Sequence, residues 1–300
     1  MKVENALPLR VWRRMSGTWC ALEYFWRQLL RNKLSFIAVC AIVILAAIAL
    51  FAPWIAPFDP DEPDASVVLQ PPQWRHWLGT DDYGRDELSR ILVASRVDMV
   101  VPFASTFLAL AVGSAIGAVS GYRGGWIDQL VMRCVDAIMA FPAFILAMGL
   151  AAAMGNSIGN LILVIAITQA PVYLRQLRAE MMRVREMEYA DAAKAVGNPT
   201  SRIVFIHLFP NCFPPLIVQA TLAMGFALLT LAALSYIGLG VQPPDSEWGE
   251  MTSQGASLMV TGEWWLSLFP GLTILLTVLV FNLVGDGLRD LLDPRMRGVR

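Results

Sequence analysis

The stretch EYADAAKAVGNPTSRIVFIHLFPN, residues 188–211, decides how the rest of the chain is interpreted, because it is polar in its first half and apolar in its second. Residues at positions i, i+3, i+4 and i+7 share one face of a helix. Four residues of the first half have this spacing: Tyr189, Ala192, Ala193 and Val196. All but the tyrosine are no larger than valine, so the spacing predicts a helix with a narrow, smooth apolar face.

A tight turn is expected after this helix. Gly197 supplies the left-handed backbone position that commonly ends a helix, and Pro199 prevents the helix from continuing. Thr200 is placed to cap a second helix that begins with Ser201 and Arg202. The stretch is therefore predicted to be a helix-turn-helix.

The same residues resemble a known motif. Asp191-Ala192-Ala193, Gly197 and Leu208-Phe209-Pro210 resemble the EAA loop of the membrane subunits of bacterial ABC importers. In that family the loop is a cytoplasmic coupling helix that docks into a groove on a separate ATPase subunit. Two positions depart from the motif, since Asp191 stands for the usual Glu and Phe209 for the usual Leu before proline. The resemblance implies these coupling residues: Tyr189, Asp191, Ala192, Ala193, Val196, Gly197 and Pro210.

The composition points to a membrane protein. Hydrophobic residues make up 56% of the 300 residues and charged residues only 16%, with a mean hydropathy of +0.55. Such a chain is too apolar for a soluble globular protein, and we expect an all-α, polytopic membrane protein. A net charge of -1 gives no reason to expect nucleic acid as a partner. We predict neither a disulfide nor a metal site, because the cysteines lack Cys-x-x-Cys spacing and mostly lie in or beside apolar segments: Cys20, Cys40, Cys134 and Cys212.

The beginning of the chain predicts one membrane span and one external segment. Residues 1–33 are rich in arginine and are expected to stay in the cytoplasm. Residues 34–58 carry no charge over about 25 residues, which is enough to cross a bilayer core of about 30 Å and too long for a cleaved signal peptide. Residues 59–98 have an excess of acidic side chains and are predicted to be a periplasmic segment.

Five further spans are predicted for the permease core, residues 99–290, before a cytoplasmic tail, residues 291–300. Apolar runs place the spans at Met99–Tyr122, as a pair within Ala137–Leu174, at Cys212–Ile237 and at Trp264–Leu283. Small residues recur every fourth position in two spans, at Ala109, Gly113, Gly117 and Gly121, and at Ala143, Ala147, Ala151 and Gly155. Such stripes let helix backbones approach closely, so we assign them to packing. The cytoplasmic coupling loop is residues 175–210.

Two loop segments indicate a particular branch of this family. HWLGTDDYGRDELSRIL, residues 76–92, and IGLGVQPPDSEWGEM, residues 237–251, resemble segments typical of the dipeptide, oligopeptide and nickel branch of ABC importer permeases. The first segment has two interpretations, which are an amphipathic elbow lying on the membrane before the second span and a partner-binding surface. The sequence does not separate them.

The break between the third and fourth spans spells Gly-x-Ser-x-Gly at residues 155–159, the pattern of a hydrolase nucleophile elbow. That motif requires a preceding strand and a histidine and an acid within reach, whereas apolar helices flank Ser157. The chain has only His76 and His207, and the predicted topology puts His207 on the opposite side of the membrane. We therefore predict a tight turn and no catalytic residues.

The distribution of basic residues sets the orientation. With six spans and both termini in the cytoplasm, the 23 lysines and arginines all fall in cytoplasmic segments except Arg75, Arg85, Arg90 and Arg96. The opposite orientation would invert this ratio. The same assignment puts residues 188–211 in the cytoplasm, although the motif was not used to derive it.

Over residues 25–297 the chain resembles the second permease of dipeptide, oligopeptide and nickel systems, with the type I ABC importer fold. A P-loop needs a glycine before its lysine, and none of the lysines has one: Lys2, Lys33 and Lys194. The chain is therefore not predicted to be an enzyme or to bind a cofactor. Partner ATPases would bind ATP and magnesium. The resemblance implies a second homologous permease, two ATPase subunits, a periplasmic binding protein and a bacterial inner-membrane location. The alternative is a secondary transporter driven by an ion gradient, a class that usually buries ionisable residues near the bilayer midplane.

Overall fold

A computed structural model describes residues 33–242 and 245–292. The predicted cytoplasmic N-terminal segment, apart from its last residue, and most of the predicted tail lie outside these residues. The described residues are almost entirely helical, and their only β-structure is a single antiparallel bridge between Thr80 and Asp86.

The described residues contain five helices that are long and apolar enough to cross a membrane. They are α1 (Lys33–Ile55), α2 (Glu87–Arg123), α5 (Ile158–Val184), α9 (Pro214–Tyr236) and α11 (Trp265–Leu292). The shorter elements are α3 (Gly125–Met139), α4 (Ala143–Met154), α6 (Glu188–Ala195), α7 (Thr200–Arg202), a π-helix (Ile203–Leu208), α8 (Phe209–Cys212) and α10 (Trp248–Leu258). Helices α1, α9 and α11 fall where the apolar runs predict spans.

The second span begins at Glu87 and not at the predicted Met99. Asp86 is its N-cap, and the Asp86 carboxylate accepts a hydrogen bond from the Ser89 backbone N–H at 2.9 Å. The first turns are helical although they carry charges, because Glu87 and Arg90 are buried, and Arg90 is bound to Asp81 and lies close to Glu250 of α10. Hydropathy alone could not place this start.

The predicted third span is a bent pair of helices. Helices α3 and α4 meet at an angle of 87°, and together they make a sixth span or a re-entrant segment. Helix α4 has 12 residues, too few to cross a core of about 30 Å by itself. The break is at Phe141-Pro142, and Pro142 is the N-cap of α4 because a proline cannot continue the preceding helix.

The small-residue stripe of the second span is a packing surface. A Cβ atom added at Gly113, Gly117 or Gly121 would stand 2.5 to 2.6 Å from a backbone carbonyl oxygen of α5. Real Cβ atoms do not approach that closely, so only glycine lets α2 and α5 lie at this distance, and these two helices form the most extensive helix contact. The stripe of the third span is used in part, since Ala147 and Ala151 are fully buried while Ala143 and Gly155 are exposed.

The predicted Gly-x-Ser-x-Gly turn is a helix cap. Ser157 is the N-cap of α5, and its hydroxyl accepts a hydrogen bond from the Asn160 backbone N–H at 3.2 Å. No strand precedes it in the part of the chain that the structure describes. The serine therefore has the structural role that the flanking helices predict.

The segment before α2, residues 56–86, consists of turns and bends and contains no helix. Asp81 organises it by accepting hydrogen bonds from the backbone N–H groups of Tyr83 and Arg85, at 2.9 and 2.8 Å. The same carboxylate binds the Arg90 guanidinium at 2.8 Å, and this ion pair links the segment to α2. Gly84 fits only as glycine, because its φ is +78° and an added Cβ would collide with the Asp64 backbone.

Candidate coupling site

Helix α6 forms the first arm of the predicted hairpin. Its charges suit the helix dipole, with Glu188 and Asp191 in the first turn and Lys194 in the last. Lys194 Nζ lies 3.0 Å from Asp191 Oδ1, and this pair raises the pKa of Lys194. Both side chains are exposed, so the pair adds little to stability and leaves the charges accessible to a partner.

Gly197 ends α6 in the way that the sequence predicts. Its φ is +80°. The Gly197 backbone N–H donates to the Lys194 carbonyl oxygen at 2.9 Å, and the Asn198 backbone N–H donates to the Ala193 carbonyl oxygen at 3.4 Å. These two bonds form a Schellman motif, which satisfies carbonyls that the end of a helix leaves open. An added Cβ at Gly197 meets nothing within 4 Å, so the glycine is required by conformation and not by space.

The predicted apolar face of α6 is divided between the outside and the core. Tyr189 is 39% exposed and Val196 is 82% exposed, and Ala192 is exposed between them. Ala193 is half-buried against the core, beside the fully buried Ala190. The hairpin therefore presents a small apolar surface that nothing in the described residues covers.

The second arm is helical but irregular. Thr200 is not a cap, because Pro199 occupies the N-cap position and Thr200 is the first helical residue, with no side-chain cap bond. A π-helix follows over Ile203–Leu208, directly before Phe209-Pro210, where the proline has no N–H to continue an α-helical ladder. Pro210 itself lies in the first turn of α8 and is exposed.

The apolar side of the second arm packs the hairpin against the core of the protein. Ile203, Val204 and Leu208 are buried in one cluster with Leu177 and Met181 of α5. The Tyr189 phenol lies near Asn211 of the second arm, and partial burial raises the pKa of that phenol. The two arms and the end of α5 are thus packed as one unit.

The base of the hairpin is fastened to α2 and α3. Arg185 Nη1 donates to the backbone carbonyl oxygens of Gly121 and Tyr122, at 2.9 and 3.3 Å. Nearby, the Arg178 guanidinium makes a two-pronged contact with the Asp128 carboxylate at 2.5 and 2.6 Å, and that carboxylate also accepts the Ser120 hydroxyl at 2.6 Å. A force on the hairpin therefore reaches α2, α3 and α5 together.

Sequence reasoning missed this base because its arginines look like ordinary cytoplasmic positive charges. Their sequence signal is the spacing of Arg178 and Arg185, which are seven residues apart and fall on one face of α5. The acidic partner, Asp128, is far away in sequence and has no signal of its own.

A buried acidic pair was also missed. Asp98 and Glu247 are both fully buried and lie close to each other. Asp98 Oδ2 accepts from the Trp248 backbone N–H at 3.1 Å, while Glu247 caps α10 through the N–H groups of Gly249 and Glu250, at 2.8 and 2.9 Å. Through these backbone hydrogen bonds the two buried carboxyl groups join α2 to the start of α10.

The described residues contain no group of three or more His, Cys, Asp or Glu side chains arranged to hold a metal ion. The hairpin has an exposed apolar surface, and hydrogen bonds and buried contacts connect it to the spans. What it can do is transmit movement.

The chain matches two protein-family models. Residues 113–298 match the model described as "Binding-protein-dependent transport system inner membrane component", and residues 21–72 match "N-terminal TM domain of oligopeptide transport permease C". The first match covers more than half of the chain. The chain belongs to the binding-protein-dependent transport permease family.

Named relatives agree with this assignment over most of their length. The permease is 43% identical to "Dipeptide transport system permease protein DppC" of Alkalihalophilus pseudofirmus over 271 residues, which are 90% of this chain and 89% of the relative. It is 42% identical to "Probable D,D-dipeptide transport system permease protein DdpC" of Escherichia coli, with 89% of each chain covered. It is 36% identical to "Glutathione transport system permease protein GsiD" of Pectobacterium atrosepticum, with 91% of each covered.

The fold has a neighbour of known structure. The permease superimposes on a chain of the MetNI methionine ABC transporter in an inward-facing conformation with a TM-score of 0.55 and 16% identity, covering 68% of this chain and 96% of that chain. At this identity the likeness shows the fold, and the predicted type I ABC importer fold is confirmed. The secondary-transporter alternative is wrong. The protein is a multi-pass permease subunit that works with a partner permease and ATPase components.

Proposed function

We propose that this permease forms, with a second homologous permease, the pathway that carries peptides or related small solutes across the bacterial cytoplasmic membrane. Two ATPase subunits supply the energy by binding and hydrolysing ATP with magnesium, and a periplasmic binding protein supplies the solute. The names of the relatives support the solute class, since they include dipeptide, D,D-dipeptide and glutathione transport systems. The distribution of basic residues supports the orientation, with both termini and the hairpin in the cytoplasm.

We further propose that the hairpin couples the ATPases to the spans. The observation that carries this proposal is that α6 exposes Tyr189, Ala192 and Val196 to solvent while its opposite side is packed against the core. Small apolar side chains that nothing covers fit into a groove of a partner at low cost in conformational entropy. Asp191 adds an accessible charge, Ala193 and Gly197 set the angle of the first arm, and Pro210 interrupts the hydrogen-bond ladder of the second arm after the π-helix.

Movement follows from the rigid base. When ATP draws the two ATPases together, each coupling helix moves with the groove that holds it. Arg185 and Arg178 tie the hairpin to the ends of α2 and α3, so these helices and α5 move with it as one body. Rigid-body motion of this kind opens a pathway on one side of the membrane and closes it on the other.

A crosslinking experiment tests the docking. In the assembled importer, on a background without the four native cysteines, Ala192→Cys should form a disulfide with cysteines placed along the groove of the cognate ATPase. Ala190→Cys is the matched control, because Ala190 lies two residues away on the same helix and is fully buried.

The expected result is efficient crosslinking from position 192 and little from position 190. Equal crosslinking from both positions, or none from position 192 across the whole panel of groove positions, would overturn the docking proposal.

A further inference from the structure

A cavity of about 150 Å³ lies beside the coupling hairpin, where the last turn of α2 meets the start of the second arm. Its polar side is formed by Arg123, Thr200 and Ser201, and its apolar side includes Val119 and Phe205. Because one water molecule occupies about 30 Å³ of liquid, the cavity has room for a group of several heavy atoms. It offers a cation and two hydroxyl groups beside an apolar wall.

None of the described residues neutralises the positive charge of this cavity. Arg123 is exposed, and among residues 33–242 and 245–292 it has neither an ion pair nor a side-chain hydrogen bond. The neighbouring arginines differ, since Arg178 is bound to Asp128 and Arg185 to Glu186. Arg123 is therefore available to an anion from outside the chain.

The cavity lies at the depth of a membrane interface. Arg123 is the last residue of a helix that spans the membrane, and Trp126, which is 73% exposed, follows within one turn of chain. Tryptophan and arginine are typical of the boundary between acyl chains and headgroups. Val112 and Ile116 are exposed on the same face of α2 as Val119 and Arg123, so an apolar stripe leads along the helix to the cavity.

We propose that this cavity binds the headgroup phosphate of an anionic phospholipid. The Arg123 guanidinium donates hydrogen bonds to the phosphate oxygens, and the Thr200 and Ser201 hydroxyls donate to the same group. The acyl chains lie along Val112 and Ile116. The bound lipid then joins the end of α2 to the second arm of the hairpin, where no acidic side chain of the described residues pairs with Arg123.

Photolabelling of the complete importer in lipid nanodiscs tests this site. The probe is phosphatidylglycerol that carries a photoreactive group in its headgroup, and the comparison probe is the matching phosphatidylcholine. Labelled peptides are mapped by mass spectrometry. We expect phosphatidylglycerol to label the end of α2 and residues 200–205, and Arg123→Gln to lower this labelling about fivefold or more.

Two further variants test whether labelling depends on Arg123 itself. Arg133→Gln, which removes an exposed arginine of α3 outside the cavity, should leave labelling unchanged, and Arg123→Lys should retain part of it. Equal loss in Arg123→Gln and Arg133→Gln would show general charge attraction, and equal labelling by phosphatidylcholine would show no headgroup selection; either would overturn the proposal.

Soluble glycerol phosphate at millimolar concentration should not compete, and competition would assign the cavity to a free anion instead of a lipid. Labelling is measured without transport or ATP hydrolysis. The lipid proposal takes only the orientation of the protein in the membrane from the proposed function, so it can fail while the coupling function stands.

Discussion

Single glycines carry much of the geometry of this permease, and they do so for two different reasons. Gly197 needs a left-handed backbone with φ of +80° in open space, whereas Gly117 has an ordinary helical backbone but a carbonyl oxygen 2.5 Å from where a Cβ would lie. The first glycine orients the coupling face, and the second sets the distance between two spans. Substitutions separate the two reasons, because conformational strain and steric overlap respond to different side chains.

Gly197 is tested by residues that differ in their tolerance of the left-handed region. Gly197→Asn should leave transport close to wild type and Gly197→Ala should cost on the order of 1 kcal/mol or less locally, while Gly197→Val should cost more, because a β-branched residue is strained at positive φ. We expect Gly197→Val to insert and assemble normally but to lose transport and substrate-stimulated ATP hydrolysis together. Membrane abundance, ATPase association and both activities are measured on one preparation. Wild-type transport by Gly197→Val would remove Gly197 from the coupling mechanism.

Helix packing explains which spans the sequence could predict. Helices α1, α9 and α11 are apolar over most of their length, and their positions follow from hydropathy. The start of α2 does not, because charges such as Glu87 and Arg90 are buried by residues that are distant in sequence. The third span was predicted as one helix, and the 87° bend arises at a single proline whose effect on a run of apolar residues cannot be read from composition.

The hairpin, too, could be predicted from the sequence only in part. Its turn, its glycine and its small outer residues could be predicted, because they depend on local chemistry. The cap of the second arm was wrong, since Pro199 takes the position that favoured Thr200. The π-helix and the ties of Arg178 and Arg185 to α3 and α2 depend on contacts across the fold, and no local pattern announces them.

The contact between α2 and α5 is tested by a pair of glycines. Gly117→Ala should destabilise the purified importer by about 1 to 3 kcal/mol, because the new methyl group overlaps the Leu174 carbonyl oxygen and forces the helices apart. Gly149→Ala is the control, since Gly149 is also in an apolar helix and an added Cβ there meets nothing within 4 Å. Thermal unfolding in detergent checks the difference. Equal melting temperatures for the two variants would mean that the stripe does not set this contact.

At the scale of the whole molecule, the two ends of the permease differ in structure. The end that carries residues 59–86 holds a network of buried charges, in which Arg90 of α2 is bound to Asp81 and lies close to Glu250 of α10. The opposite end carries an exposed hairpin on a rigid base. Between them the spans expose large apolar side chains, among them Phe107, Phe226 and Leu275, which suit lipid and a partner permease. This arrangement fits a subunit that is moved from one end.

Transport by the reconstituted importer tests the central claim most directly. The complete complex is placed in proteoliposomes with ATP on the side of the hairpin and the binding protein and a labelled dipeptide on the other, and dipeptide accumulation is measured. The account predicts accumulation that requires ATP, is unchanged when ionophores collapse the ion gradients, and is lost in Gly197→Val but kept in Gly197→Asn. Accumulation that continues without ATP while an ion gradient is maintained, or that is the same in Gly197→Val as in wild type, would contradict it.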